Sequence, residues 1–311
     1  MPPAPFDLNP AHVRTLAEVV RRGSFSRAAE DLHLSQPAVS LHIRQLEDRA
    51  GCPLVERVGK RAVATRAGQL LLEHAQRAFG ELEAARQALH GLRGIVAGRV
   101  SLGTGATASI HLLPPVFRKL RGRYPALELV VITGNSPEIA AGVASGRIDV
   151  GVVTLPVSGR SLAIAPLVID PLVAIAPPTR EWRRARALTP KELARHPLIV
   201  YESGGTIRRV IDEWFRRGGA APRVAMELGN EEAIKKLVGA SLGLSLAPCM
   251  AVAAEVRAGI LAAIPLSPPL ARRLAVVTRR GRPANPALRA VLAALEELKA
   301  APARQARRRA T

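Results

Sequence analysis

The sequence predicts an N-terminal α-rich winged helix–turn–helix unit, a dimerising linker helix, and a C-terminal α/β region of two lobes. Three observations predict it. Between Gly23 and Glu47, apolar residues recur at helical spacing around a tight connection. From Ala67 to Leu92 a heptad seam runs without proline. Beyond Arg99, strand and helix signals alternate twice over.

Asn9 followed by Pro10 signals a helix start, and Val13, Leu16, Ala17 and Val20 give that helix one apolar face before Gly23 ends it. In the stretch GSFSRAAEDLHLSQPAVSLHIRQLE, a helix is expected from about Ser26, its cap, to Leu32. A second begins after Ser35, where Pro37 fits a first turn whose N–H groups have no helical partner. Ala28, Ala29, Leu32, Val39, Ile43 and Leu46 face inward, and the two alanines allow a close crossing. Gln36, Ala38, Ser40, Leu41, His42, Arg44 and Gln45 are left outward. Short polar groups, methyls and one Arg near a helix N-terminus suit the major groove of double-stranded DNA. The alternative is an ordinary helical hairpin with a polar outer face. Leu54–Val58, a Gly59–Lys60 turn and Ala62–Thr65 read as a two-stranded wing. Lys60 and Arg61 at its tip reach phosphate or minor groove, or form a solvated turn.

In the following helix Leu71, Ala75, Ala78, Leu82, Ala85, Leu89 and Leu92 alternate at spacings of four and three. That seam asks for a partner helix, hence a homodimer, unless the helix packs on its own domain. Gly91, Gly94 and Gly98 then loosen the chain. Strands are expected at Val100–Gly103, Leu127–Thr133, Asp149–Thr154, Leu162–Ile169 and Pro171–Ala176, with helices at Ile110–Arg121 and Ser136–Ser145. A second set comprises Leu198–Tyr201, Thr206–Arg217, Arg223–Leu228, Glu231–Ala240 and Ser245–Ala247, with Thr189 to Glu192 as a capping box. Arg273–Thr278 and a helix at about Asn285–Ala300 follow. Largely parallel sheets in two lobes place a ligand cleft at the strand ends.

The formal charge of +20 invites a polyanion, but residues 1–68 carry ten Lys and Arg against seven Asp and Glu, a net of +3, which leaves +17 for the remainder. Recognition therefore rests on placed side chains more than on a basic domain. The basic end ARQARRRAT reads as a disordered solvated tail. The N-terminus lacks a secretory signal, and no run of apolar residues is long enough to span a bilayer, so no membrane partner is expected. Two cysteines, Cys52 and Cys249, lie far apart, which argues against a disulfide framework or a metal site and for a reduced cytoplasm. Seven scattered His, and the lack of a phosphate-binding G-x-x-x-x-G-K-[ST], argue against an enzyme. A solute-binding module is the remaining alternative.

Gly23-Ser24-Phe25, Ala28-Ala29, Leu32, Ser35-Gln36-Pro37-Ala38-Val39-Ser40, Ile43, Leu46-Glu47, Gly51, Pro53-Leu54, Arg57, Thr65 and Ala67-Gly68 together resemble the LysR-type transcriptional regulators. HLLPPVFRKLRGRYPALEL and GRIDVGVV resemble the first lobe of that family's effector domain, and GNEEAIKKLVGASLGLSLAP part of the second. EAIKK and ASLGLSLAP also resemble regulators of sulfur assimilation and carbon fixation. Val55, Ala64 and Leu41 depart from the usual Phe, Leu and Arg; Leu41 offers apolar contact to a thymine methyl in place of a phosphate contact. The resemblance implies a winged-helix domain at 1–66, a linker helix at 67–93 and an effector domain at 94–300 similar to type 2 periplasmic binding proteins. Lobe I spans about 99–168 and 270–300, lobe II about 169–269, and the tail 301–311.

The expected DNA-binding residues are Ser24, Ser35, Gln36, Pro37, Ala38, Ser40, Leu41, His42, Arg44, Lys60 and Arg61. The expected partners are an inverted-repeat site in double-stranded DNA, a second pair of subunits in a homotetramer that bends it, RNA polymerase, and a small effector. No cofactor other than that co-inducer is expected. Candidate effector residues lie where strands end and helices begin: Thr104, Ala106, Thr107 and Ser109; Asn135 and Ser136; Thr154; and, from the opposite lobe, Gly205 and Thr206. Free N–H groups and hydroxyls there suit a carboxylate or phosphate, although Ser and Thr also cap helices. With one cysteine in the effector region, a disulfide switch within one subunit is excluded.

Overall fold

The computed structural model describes residues 8–59, 61–91, 96–281 and 284–300. Lys60, Gly94, Leu92 and the tail 301–311 lie outside them, as does the side chain of Leu89. The chain divides into two units at Glu83 and Ala84.

In the first unit Asn9 caps α1 (Pro10–Arg22), accepting from the Ala11 N–H at 2.9 Å. Gly23 ends it with φ of 62°, a left-handed turn that glycine adopts without strain. The next helix, α2 (Phe25–Leu32), starts one residue earlier than expected. Ser24 is its cap, accepting from Arg27 N–H, and Ser26 lies inside the helix. Ser35 caps α3 (Gln36–Ala50), as the sequence predicts. Val13, Leu16, Val19, Ala28, Ala29, Val39, Ile43 and Leu46 bury together as the core of this unit. The wing is β1 (Val55–Val58) antiparallel to β2 (Arg61–Ala64).

Several residues of the LysR-like pattern have structural work here. The Glu47 carboxylate accepts from the Leu54 and Val55 N–H groups at 2.8 and 3.2 Å, tying α3 to the start of the wing. Thr65 donates to the Pro53 carbonyl and accepts from Gly68 N–H, which starts α4 (Arg66–Gly91). A Cβ on Gly68 would sit 2.1 Å from the Leu54 carbonyl oxygen, so only glycine permits that approach. Of the heptad seam, Leu71 and Ala75 pack on the core of their own unit. Further along, Ala78 and Ala85 are exposed and Leu82 is 65% exposed.

The second unit opens with β3 (Gly98–Thr104), α5 (Ala106–His111) and α6 (Pro114–Arg123). One helix is expected there, but Pro114 and Pro115 cannot donate backward, so the chain stops after His111 and restarts at Pro114. Then come β4 (Leu127–Thr133), α7 (Ser136–Ser145), β5 (Val150–Thr154) and β6 (Leu162–Ala176). The last is one strand where the sequence suggests two. Pro171, which has no N–H, falls where pairing with the neighbouring strand ends, so no ladder bond is lost. The remainder is α8 (Arg180–Arg184), α9 (Pro190–Leu193), β7 (Leu198–Tyr201), α10 (Thr206–Arg217), β8 (Val224–Leu228), α11 (Glu231–Gly239), β9 (Ser245–Pro248), α12 (Cys249–Arg257), β10 (Ala262–Ile264), β11 (Ala271–Arg279) and α13 (Pro286–Glu296), closed by a 3-10 turn at Glu297–Ala300. The short α8, α12 and β10 carry no clear sequence signal.

Seven strands join in one sheet of order β10-β6-β11-β5-β3-β4, with β9 also on β6. It is mixed rather than largely parallel: β3 is parallel to β4 and β5, but β11 runs antiparallel to β5 and β6. A separate pair, β7 and β8, is parallel. Two main cores result. One gathers Val100, Leu102, Leu120, Val150, Val276, Val291 and Leu295, and defines lobe I. The other gathers Ile175, Leu193, Ile199, Phe215, Ile234 and Leu246, and defines lobe II. The long β6 passes from one to the other.

Candidate DNA-reading helix and effector cleft

On α3, Gln36, Pro37 and Arg44 are exposed and Leu41 is 51% exposed, while Ala38 and Ser40 are half-buried. The Gln36 amide donates to the Ser40 hydroxyl at 2.9 Å, which holds its side chain along the helix. Ser35 and Ser24 are both committed to capping. His42 departs from expectation. Its Nδ1 lies 3.0 Å from the Thr15 hydroxyl and its ring stacks on His12 at 4.3 Å, so it faces α1 rather than outward. Burial, with His42 and Arg49 nearby, pushes the His12 pKa down. Arg61 is exposed at the start of β2.

In the second unit a cleft of about 420 Å³ opens between the lobes, within the range of small-molecule sites. Lobe I contributes Ala106, Thr107, Asn135, Ser136, Glu138 and Thr154, and lobe II contributes Tyr201, Glu202, Gly205, Thr206 and Glu231. Arg272 of β11 joins them. Seven of the nine expected effector residues therefore converge. Thr104 does not, because its position on a central strand turns it inward: it is 0% exposed and donates to the Val152 carbonyl. Nor does Ser109, whose hydroxyl turns back to the Ala106 carbonyl at 2.7 Å.

Local capping explains part of the convergence. Asn135 and Glu138 form a full capping box on α7, and the Ser136 hydroxyl accepts from Thr154 N–H at 3.0 Å. By contrast α10 has no side-chain cap at Gly205, so its leading N–H groups remain open for an acceptor. Thr107 donates to one Glu231 oxygen at 2.5 Å and Tyr201 to the other at 2.7 Å. Burial and the Glu231 charge push the Tyr201 phenol well up, so it stays a donor. The Arg272 Nε donates to Asp170 at 2.9 Å in a buried pair. Burial pushes the Asp170 carboxyl up despite the pull of that guanidinium.

Tyr201, Glu202, Glu231 and Arg272 are not among the residues expected from sequence. Glu231 follows Gly229-Asn230 at the end of β8, the same strand-to-helix position that marks Thr107 and Thr206, so its signal was present. Arg272 and Asp170 stand 102 residues apart and carry no local signal. The EAIKK motif has a structural role in part. Lys235 is buried, donating to the Ala251 carbonyl and to Glu255, and pairing with Glu232.

Residues 93–300 match the LysR substrate binding domain, and residues 10–69 match the bacterial regulatory helix-turn-helix protein, lysR family. The chain belongs to the LysR family. It is thus a DNA-binding transcriptional regulator with an N-terminal helix–turn–helix domain and a C-terminal effector-binding domain. Among similar proteins, the "Probable RuBisCO transcriptional regulator" of Trichormus variabilis is 32% identical over 268 residues, covering 84% of this chain and 79% of that one. The "HTH-type transcriptional regulator CbbR" of Xanthobacter flavus is 33% identical over 287 residues, 91% of this chain and 86% of its own. In fold, a full-length OxyR variant from Pseudomonas aeruginosa superposes with a TM-score of 0.73 at 22% identity, over 94% of this chain and 95% of that one. CbnR in complex with its target DNA gives 0.69 at 21%, over 93% and 99%. These relatives are regulators, not enzymes. No helix among the described residues is long and apolar enough to cross a membrane.

Proposed function

We propose that this LysR-family regulator controls genes of carbon fixation by RuBisCO, acting in the cytoplasm on an inverted-repeat site in double-stranded DNA. The observation that carries the reading is the run of relatives named as RuBisCO regulators, 31–32% identical over 84–89% of the chain. Two copies join through α4, where Ala78, Leu82 and Ala85 lack cover, and pairs of dimers form the tetramer that meets RNA polymerase. Gln36 reads a base edge in the major groove, Leu41 meets a thymine methyl, and Arg44 and Arg61 contact phosphate. Ser24 and Ser35 present capped helix N-termini toward the backbone.

The effector is a small anionic metabolite held between the lobes. Arg272 and the uncapped start of α10 support that charge, with Thr107 and Thr206 at opposite walls. Gel shifts with DNA upstream of the RuBisCO genes, at several salt concentrations, test the first reading. Salt-sensitive binding with no sequence preference would sink it. Thermal-shift screening against organic acids and phosphorylated metabolites tests the second. Stabilisation by neutral or cationic compounds alone would sink that one.

A further inference from the structure

The cleft holds one buried cation whose hydrogen bonding is incomplete. Arg272 is 5% exposed, and Asp170 takes its Nε, yet Nη2 has no partner. A buried donor left without an acceptor is costly, and more so when it is charged. Guanidinium has no other use for that N–H, since it cannot deprotonate. Such a donor, lining a ligand-sized cleft, is matched by an acceptor that arrives with the ligand.

Glu231 presents the opposite condition. Its two oxygens accept from hydroxyls on different lobes, Thr107 of lobe I and Tyr201 of lobe II. Neither partner is a cation, and the one guanidinium in the cleft already serves Asp170. The Glu231 carboxylate therefore faces the cleft without a bonded cation, offset only by the N-terminus of the helix it opens, and with lone pairs to spare. Glu138 and Glu202 add carboxylates to the same lining. A cleft with one open cation arm and three carboxylates does not suit a ligand that is anionic at both ends.

We infer that Arg272 and Glu231 together make the cleft selective for a ligand with a single anionic group and a donor-bearing body. The free guanidinium N–H takes the carboxylate or phosphate. Glu231 repels a second anion and accepts from hydroxyl or ammonium donors in its place. This rests on the cleft being the effector site, as proposed above.

The test is calorimetric titration of the full chain with two matched pairs of probes. Gluconate and glucarate differ only in a terminal hydroxymethyl or carboxylate. Glycerol phosphate and phosphoglycerate make the same comparison with a phosphate head, and so separate the two sources of the anion. In each pair that binds, the single-anion member is expected to bind at least about tenfold tighter. Glu231→Gln, which keeps the size and an acceptor, should reduce that preference to about twofold or less. Arg272→Lys, which keeps the charge beside Asp170 but loses the second arm, should weaken all four probes. Equal binding within both pairs overturns the inference, as does a preference unchanged in Glu231→Gln. So does the failure of every probe at tens of millimolar in a chain that still shifts promoter DNA specifically. Loss of that specific shift would instead strike the regulatory reading, so the two failures are distinguishable.

Discussion

Replacing Arg272 with Met should leave the carboxylate of Asp170 buried without its counter-ion. The two side chains are 5% and 3% exposed, so solvent does little to screen what is lost. Removing one partner of such a pair costs about 3–5 kcal/mol. For a unit of this size that lowers the melting temperature by about 6–20 °C. The loss should depend on pH, and its sign follows from Asp170. Burial already holds that carboxyl above its ordinary value against the attraction of Arg272. Without the guanidinium the folded value climbs further. A folded state that binds its proton more tightly than the unfolded chain loses stability as pH rises through that window. The deficit should thus be largest near neutral and alkaline pH and shrink as the solution is acidified toward the unfolded carboxyl range. Urea unfolding of the variant and the parent, followed by circular dichroism at about pH 8 and about pH 5, measures both quantities. A deficit below about 1 kcal/mol, or one independent of pH, would refute the account of this pair.

Three further outcomes are expected. Gly68→Ala drives a Cβ against the Leu54 carbonyl oxygen and should cost about 1–3 kcal/mol; thermal unfolding and gel shifts should show a lower melting point and weaker DNA binding together. Gln36→Ala should relax base preference at one operator position by about 1–3 kcal/mol, read by competition with single-base operator variants; unchanged affinity and preference would show that α3 docks otherwise. Leu82→Asp should shift the chain toward smaller assemblies in sedimentation velocity while leaving the far-ultraviolet spectrum intact; an unaltered size distribution would remove α4 from the oligomer interface.

What the sequence determined by itself is everything whose cause lies within a turn or two of chain. Asn9, Ser35, Asn135 and the Thr189–Glu192 box cap helices because their side chains reach N–H groups two or three residues on. The apolar face of α1 to α3 and the strand-to-helix joints at Thr107 and Thr206 were legible for the same reason. One local expectation fails: Ser24 rather than Ser26 caps α2. Only the tertiary structure decided which polar residues reach the cleft. Thr104 and Thr107 stand three residues apart, yet one is sealed under β5 and the other reaches Glu231 across the lobes. His42 turned from the outer face of α3 because α1 brought Thr15 and His12 within reach. The charge at the cleft depends on Arg272 and Asp170, which meet because β6 and β11 run side by side, and on Glu231, which α11 brings to the same cleft. Strand pairing sets such encounters, and no spacing along one strand encodes them.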